Sequence, residues 1–406
     1  MPRLMSLVGL FTMLLVAWIF SENRRKISWR IVAWGLALQF SLALLVLRTE
    51  LGRTFFYQVN SAVDVLTTAS NKGASLVFGK LPSDFSIGAT MAFQVLPVII
   101  FVSALAAILQ HLRVIQFFVN IMAWVMRRTM KTSGAETFAA ALQVFFGIES
   151  LPASRGYLEE MTRSELFVIM TTFMGTIASS VMVAYTLFGA EAGHLLCASL
   201  MAAPAGLMIS KIMVPETGHP KTDGTGAVTI RVDSHNIVDA AALGTGDGLQ
   251  LALNVGAMLI AFVALVELCD ISLLNITQCI TGHGVTFSDL MSWFFRPVAF
   301  IMGVPHQDIN AVAQLLGKKT VLNEFIAYAD LKPMIAAGTL QARSITIATY
   351  ALCSFANPGS LAILIAAMTR LLPNRRAEVV SLSMKSFLAG ALTSFMTACI
   401  AGVMMD

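Results

Sequence analysis

Long apolar runs with almost no charge recur along the whole chain and limit what it can fold into. The stretches Leu4–Phe20, Ile31–Leu47, Ala92–Leu109, Leu166–Phe188, Leu195–Val214, Leu251–Val266, Ser344–Met368 and Val379–Met404 approach or exceed the length of a membrane helix, about 20 mostly apolar residues. Of 406 residues, 57% are hydrophobic and 12% charged, about half the charged share of an average soluble domain. No polar shell can be drawn over that much apolar surface, so lipid must act as solvent for the outward faces. Backbone hydrogen bonds then have to close within each segment. The expected fold is an all-α polytopic membrane protein.

The net charge of +4 is small, and no basic stripe points to nucleic acid. Placement says more. Arg24, Arg25, Lys26 and Arg30 follow the first apolar run at once, whereas Arg3 stands alone before it. The positive-inside rule makes this first loop cytoplasmic and the N-terminus external. Charge follows the first apolar core rather than leading it, and no small-residue cleavage site appears, so a retained span is expected rather than a secretory signal. Cys197, Cys269, Cys279, Cys353 and Cys399 lack metal-ligand or CxxC spacing and read as small buried hydrophobes. The six histidines are equally dispersed. Asn275-Ile-Thr277 fits a glycosylation sequon by chance.

The chain divides at a polar connection, Pro215–Gly248, which ends in Gly244-Thr-Gly-Asp-Gly248. That glycine run lacks the preceding strand and the Lys-Ser/Thr of a phosphate loop and reads as a loop leading into a helix. On either side the pattern is similar. Gly134–Glu160 is broken by GIESLP and followed by two spans; His306–Leu331 is broken around GKKTVLNEF and followed by two more. Each broken segment reads as a re-entrant hairpin, tolerated at membrane depth only where protein or a water-filled cavity covers its non-helical backbone. One crossing near Leu251–Val266 puts the two hairpins on opposite sides and Arg370, Arg375 and Arg376 inside. The expectation is about eight transmembrane helices plus two opposed re-entrant hairpins in an inverted repeat, an arrangement of secondary transporters. Segment boundaries are drawn at 1–110 (N-terminal spans and an interfacial helix, mainly scaffold), 111–214 (first hairpin and two spans), 215–248 (cytoplasmic connection), 249–302 (scaffold span and interfacial helix) and 303–406 (second hairpin and two spans).

Chemistry concentrates at the breaks. Glu149 and Glu324 each sit at a hairpin break, and an ionisable group at that depth costs at least about 2.5–3.5 kcal/mol; the alternative is a glutamate that snorkels or pairs with a neighbour such as Lys318 or Lys319. Ser354-Phe-Ala-Asn-Pro-Gly-Ser360 interrupts a long span, where Pro and Gly free carbonyls and Asn357 and Ser360 add polar side chains able to hold a polar solute or a cation. A plain kinked helix is the alternative. Gly175-Thr-Ile-Ala-Ser-Ser180, with Thr176 and Ser180, is the counterpart in the first half, or else a small-residue packing face.

Several of these stretches resemble the concentrative nucleoside transporters: DGLQLALNVGAMLIAF (Asp247–Phe262), the Gly303–Leu331 stretch with LLGKKTVLNEFIAYADL, YALCSFANPGSLAIL (Tyr350–Leu364), MTRSELF (Met161–Phe167) and the terminal LTSFMTACIAG. The likeness runs from about residue 90 to the C-terminus, and the first two spans fit bacterial members more loosely. The resemblance implies a homotrimer in a bacterial inner membrane, importing nucleosides on a sodium or proton gradient and needing no other cofactor; the charge rule sets the termini in the periplasm. It assigns Glu324, Asn357 and Ser360 to the ribose and Phe355 to the lining of the site.

The first hairpin departs from the family pattern. Where members read G-Q-T-E-x-P or G-Q-N-E-x-P, this chain has Gly147-Ile148-Glu149-Ser150-Leu151-Pro152. Ile148 replaces the amide that contacts the base, the acid has moved by one position, which on a helix is about 100°, and Ser150 stands in its place. Gln143 falls where sodium-binding members have an Asn ligand; Phe146, Thr176 and Ser180 complete the expected ion site. The substrate is expected to be nucleoside-like, with base recognition altered or relaxed at Ile148, Glu149 and Ser150, and proton coupling through Glu149 or Glu324 is an open alternative to sodium. A transporter of another small polar solute, a membrane receptor on the same fold and an intramembrane enzyme are the rival readings. The receptor would call for a signalling domain, and the enzyme for a His or Cys near either glutamate motif.

Overall fold

The computed structural model describes residues 2–82, 91–151, 155–222 and 234–405, and every regular element among them is helical. In chain order these are α1 (Pro2–Ile19), α2 (Trp29–Arg48), α3 (Glu50–Phe78), α4 (Leu96–His111), α5 (Val114–Met130), α6 (Gly134–Phe146), α7 (Arg155–Leu158), α8 (Arg163–Gly175), α9 (Ser179–Thr186), α10 (Ala192–Met213), α11 (Ile237–Thr281), α12 (Phe287–Ile301), α13 (Ile309–Val321), α14 (Glu324–Ala336), α15 (Ala342–Leu352), α16 (Pro358–Leu371) and α17 (Arg376–Met404). Seven helices among the described residues are long and apolar enough to cross a membrane, with α8 and α9 counted together. α15 and α16 form an eighth crossing, split as the Ser354–Ser360 motif requires.

The inverted repeat is present. After the amphipathic α5 come hairpin α6–α7, the broken crossing α8/α9 and the unbroken α10. After the amphipathic α12 come hairpin α13–α14, the broken crossing α15/α16 and α17. The hairpins enter from opposite ends. At one end Glu136 of α6 meets Lys211 near the end of α10 at 2.7 Å. At the other, Asp308 at the foot of α13 accepts from the Ser344 hydroxyl (2.5 Å) and the Gln341 amide (3.0 Å) at the start of α15. Arg3, Arg48 and Arg343 all donate to the carbonyls of Met404 or Met405, so the first and last helices begin and end at the end of the molecule holding the second hairpin. Arg30 donates to the Thr129 carbonyl and Arg163 pairs with Glu22 at 2.9 Å; this opposite end collects the basic loops.

The polar connection is shorter than its composition implies. Asn236 caps the next helix, its side chain accepting from the Asp239 amide at 2.9 Å, and α11 then runs for 45 residues, about 67 Å. The Gly244–Gly248 run expected in a loop is therefore inside a helix. Two of its glycines are packing residues: a Cβ on Gly244 would stand 2.5 Å from the Ala107 Cβ and one on Gly248 2.8 Å from the Ile100 Cα, both on α4. Of the connection, residues 223–233, with Arg231, lie outside the described set.

α4 and α11 pack chiefly on each other, whereas α1 and α2 lie against α17 and α10. Gly9 fits beneath the Ile301 carbonyl and Cys399, and Gly35 against Met208, with no room for a Cβ. Gly248→Leu is expected to lower the melting temperature of the purified protein by several degrees, since overpacking costs about 1–3 kcal/mol. Gly246→Leu, which meets nothing within 4 Å, should leave it unchanged or raise it slightly. Thermal unfolding of both variants checks this, and equal melting temperatures would show that α4 and α11 are not closely packed here.

Candidate functional site

The two helix breaks meet at the centre of the molecule. α8 ends at Gly175 and α9 begins at Ser179; α15 ends at Leu352 and α16 begins at Pro358. Between them the Phe355 amide donates to the Thr176 carbonyl at 3.2 Å, and the Phe173 and Phe355 rings stand 5.5 Å apart. The backbone freed by one break thus satisfies the other, as membrane depth demands.

Each polar side chain is fixed by a helix start. Asn323 caps α14 by accepting from the Ile326 amide (3.1 Å), and Asn357 caps α16 by accepting from the Ser360 amide (2.8 Å). Asparagine is favoured at such positions because its side-chain oxygen takes an otherwise unpaired amide. Asn357 then has its Nδ2 left, and donates it to Glu324 Oε2 at 2.8 Å. Tyr185, from α9, donates its hydroxyl to Glu324 Oε1 at 2.8 Å. Glu324 opens α14, where the helix dipole favours a carboxylate, and is 2% exposed. Behind it Tyr185 stacks on Tyr328 with centroids 4.6 Å apart, and the Tyr328 hydroxyl is anchored on the Thr349 carbonyl. The carboxylate is held by both halves of the repeat.

Glu324, Asn357, Ser360 and Phe355 line a cavity with about 730 Å³ of space, and Ile148 and Phe146 line it from the first hairpin. α11 closes the cavity with Leu251, Asn254, Val255, Met258 and Phe262. The lining is apolar apart from the polar groups of the second hairpin and α16 and one amide, Asn254.

The other expected residues divide. Ser150 is buried and donates to the Gly147 carbonyl at 2.6 Å, within its own turn rather than in the cavity lining. Glu149 lies in that turn, and its side chain and Pro152 are outside the described set. Gln143 is fully buried; its Nε2 donates to the Ile169 carbonyl at 3.0 Å and its Oε1 accepts from Thr172. Thr176 donates to the Thr172 carbonyl at 2.8 Å, so Gln143 and Thr176 meet through Thr172. Phe146 turns to the cavity instead, and Ser180 is buried on the first turn of α9. Of the lysines expected as partners for Glu324, Lys318 pairs with Asp330. Lys319 is completely buried, its Nζ 5.3 Å from the Phe395 ring centroid and without a hydrogen-bond partner.

Tyr185 and Asn254 were not legible as site residues. Tyr185 is the single aromatic hydroxyl in SSVMVAYT, and Asn254 the one amide in LALNVGAMLIAF; a lone tyrosine and a lone amide inside membrane-length runs were the available signal.

Family models extend along nearly the whole chain. One described as Na+ dependent nucleoside transporter N-terminus matches residues 8–81, one for nucleoside recognition matches 92–192, and one described as Na+ dependent nucleoside transporter C-terminus matches 194–402. The uncharacterized transporter YutK of Bacillus subtilis (strain 168) is 38% identical over 414 residues, 99% of this chain and 100% of that protein. Solute carrier family 28 member 3 of Mus musculus is 39% identical over 419 residues, covering 100% of this chain and 59% of the mouse protein. Sodium/nucleoside cotransporter 1 of Rattus norvegicus is 37% identical over 418 residues, covering 99% and 64%. The chain thus spans about three fifths of these mammalian relatives. CNTnw in an inward-facing substrate-bound state superposes with a TM-score of 0.93 at 34% identity, over 100% of this chain and 98% of that one. A CNTnw variant in an outward-facing state gives 0.93 at 33%, over 100% and 99%. The chain belongs to the Na+ dependent nucleoside transporter family, whose members are cotransporters and not enzymes.

Proposed function

We propose that this protein is a secondary active importer of nucleosides, driven by a sodium or proton gradient and working by alternating access. The observation that carries the reading is Glu324, buried at a helix start and held by Tyr185 and Asn357 against a cavity. A carboxylate with an amide and a serine beside it is suited to a pair of vicinal hydroxyls: Glu324 accepts from both, while Asn357 and Ser360 supply further polar contacts to the sugar. The base then lies toward Phe355, Phe146 and Ile148. Ile148 offers no hydrogen bond to a base edge, and a base atom left unpaired there costs about 1–3 kcal/mol whichever base is bound. Discrimination therefore falls mainly on the sugar.

The moving body consists of the hairpins and crossings of the two repeats, α6–α10 and α13–α17, together with α1 and α2, which pack on α17 and α10. α4 and α11 form the fixed wall, which narrows the scaffold drawn from the sequence at 1–110. Similarity to CNTnw in both inward- and outward-facing states supports alternating access. The protein works as a homotrimer in a bacterial inner membrane, with its termini in the periplasm. That orientation rests on the collection of Arg24, Arg30, Arg163 and Arg375 at the opposite end.

Uptake of a labelled nucleoside panel into proteoliposomes, with sodium and proton gradients imposed separately, tests the reading; no uptake of any nucleoside would sink it. Glu324→Gln is expected to lower uptake about 100-fold, the scale of lost hydrogen bonds to a charged group, and unchanged uptake would remove Glu324 from the sugar site. Ile148→Gln should spread the KM values for different bases by about tenfold, read by competition between purine and pyrimidine nucleosides.

A further inference from the structure

Two basic segments that are remote in sequence are joined at one end of the molecule. The loop after α1 carries Arg24, Arg25, Lys26 and Arg30, and the end of α5 carries Arg128 and Lys131. Arg30 donates to the Thr129 carbonyl at 2.9 Å and the Arg128 carbonyl at 3.4 Å, so it closes the C-terminus of α5 and fastens the loop to it. Arg24 does the same for α1, donating to the Trp18 and Ile19 carbonyls with its guanidinium 4.5 Å from the Trp18 ring. With those two engaged, Arg25, Lys26, Arg128 and Lys131 remain exposed. Among the described residues no acid is ion-paired with any of the four.

The surroundings are those of a membrane interface. α5 is amphipathic, burying Ile115, Val119, Met126 and Met130 and exposing Phe117, Phe118, Ile121 and Trp124. Arg128 stands 6.0 Å over the Trp124 ring. Trp18 and Trp29 flank the loop, Trp29 being 70% exposed. An apolar outer face with a basic end is the pattern of a helix lying in the headgroup layer, and tryptophans favour that level. Topology alone asks for positive charge in the loops; it does not ask for two loops to be locked into one uncompensated patch.

We propose that this patch is a binding site for the headgroups of anionic phospholipids, and that headgroups bound there hold α5 in place as the support from which the first hairpin hangs. α5 passes to that hairpin through Lys131, in a left-handed conformation at φ 54°, and through Ser133, whose capping box with Glu136 starts α6. No flexible spacer intervenes. A headgroup that neutralises Arg128 and Lys131 therefore acts on the hairpin's base, and anionic lipid sets the rate of the transport cycle. The effect on rate rests on the proposed transport function; the binding does not.

Two measurements keep those apart. In detergent, binding of fluorescent phosphatidylglycerol and phosphatidylcholine to the purified protein is followed by energy transfer from tryptophan. The expected result is a preference of about tenfold for phosphatidylglycerol that weakens with salt, as surface charge interactions do, and is lost in the triple variant Arg25→Gln, Lys26→Gln, Arg128→Gln. Inorganic phosphate should fail to compete at equal concentration. Equal binding of both lipids, full preference in the triple variant, or competition by phosphate as effective as by lipid would each overturn the site. In vesicles, wild-type nucleoside uptake should be several-fold faster in phosphatidylcholine with phosphatidylglycerol than in phosphatidylcholine alone. The triple variant should match the wild type in phosphatidylcholine alone and gain nothing from the anionic lipid. A gain equal to the wild type's would overturn the regulatory role.

Discussion

The hydrogen bond from the Phe355 amide to the Thr176 carbonyl ties together two helices that are broken at the depth where water is scarcest. An unpaired backbone group in hydrocarbon costs several kcal/mol, so neither break is tolerable by itself. Each is tolerable because the other faces it, and because Asn357 caps the helix that restarts beyond it. The site follows from that solution. A capping asparagine has one polar end on the backbone and one left over, and the end left over on Asn357 is what grips Glu324.

The hairpins depend on a second, mirrored device at their feet. Lys211 lies between Glu136 and Glu216 and donates to Ser164, while Glu165 accepts from the Ser133 hydroxyl at 2.5 Å. This joins two capping boxes, those starting α6 and α8. On the other side Asp308 takes the Ser344 hydroxyl and the Gln341 amide. In both cases the hairpin's entry is bonded to the start of the broken crossing that follows it. Buried charge of this kind is poor evidence for added stability, and removing one partner is costly. Its consequence here is register: tip and break arrive at mid-depth together.

Much of this was legible in the sequence because breaks in apolar runs have few meanings. GIESLP, LNEF and SFANPGS interrupt segments that otherwise satisfy a bilayer, and a polar break at membrane depth implies either a site or a closely covered turn. Glycine was less transparent. Gly244, Gly246 and Gly248 serve equally well in a loop or on a helix face pressed to another helix, and only the Asn236 cap, three residues before Asp239, marked the helix start. Long-range pairings were not legible at all. Nothing near Lys319 in the chain predicts that it lies over Phe395 while Lys318 takes Asp330, and Tyr185 is 139 residues from the carboxylate it serves. Local pattern records which positions must be polar; it does not record which polar positions meet.

The cavity wall has an asymmetry that bears on how a bound solute could be carried. Glu324, Asn357 and Ser360 all belong to the repeats, whereas α11 contributes Leu251, Val255, Met258, Phe262 and a single amide, Asn254, which accepts from Gln250 on its own helix. Hydrogen bonds are directional and break over a few tenths of an ångström. Apolar contacts are non-directional, and one set replaces another at little cost. A polar solute held by the repeats and merely touched by α11 can therefore slide along that helix without losing its hydrogen bonds at any intermediate position. Because α11 extends for 45 residues, well beyond the apolar thickness of a membrane, it can present a wall of this kind through a long displacement of the repeats.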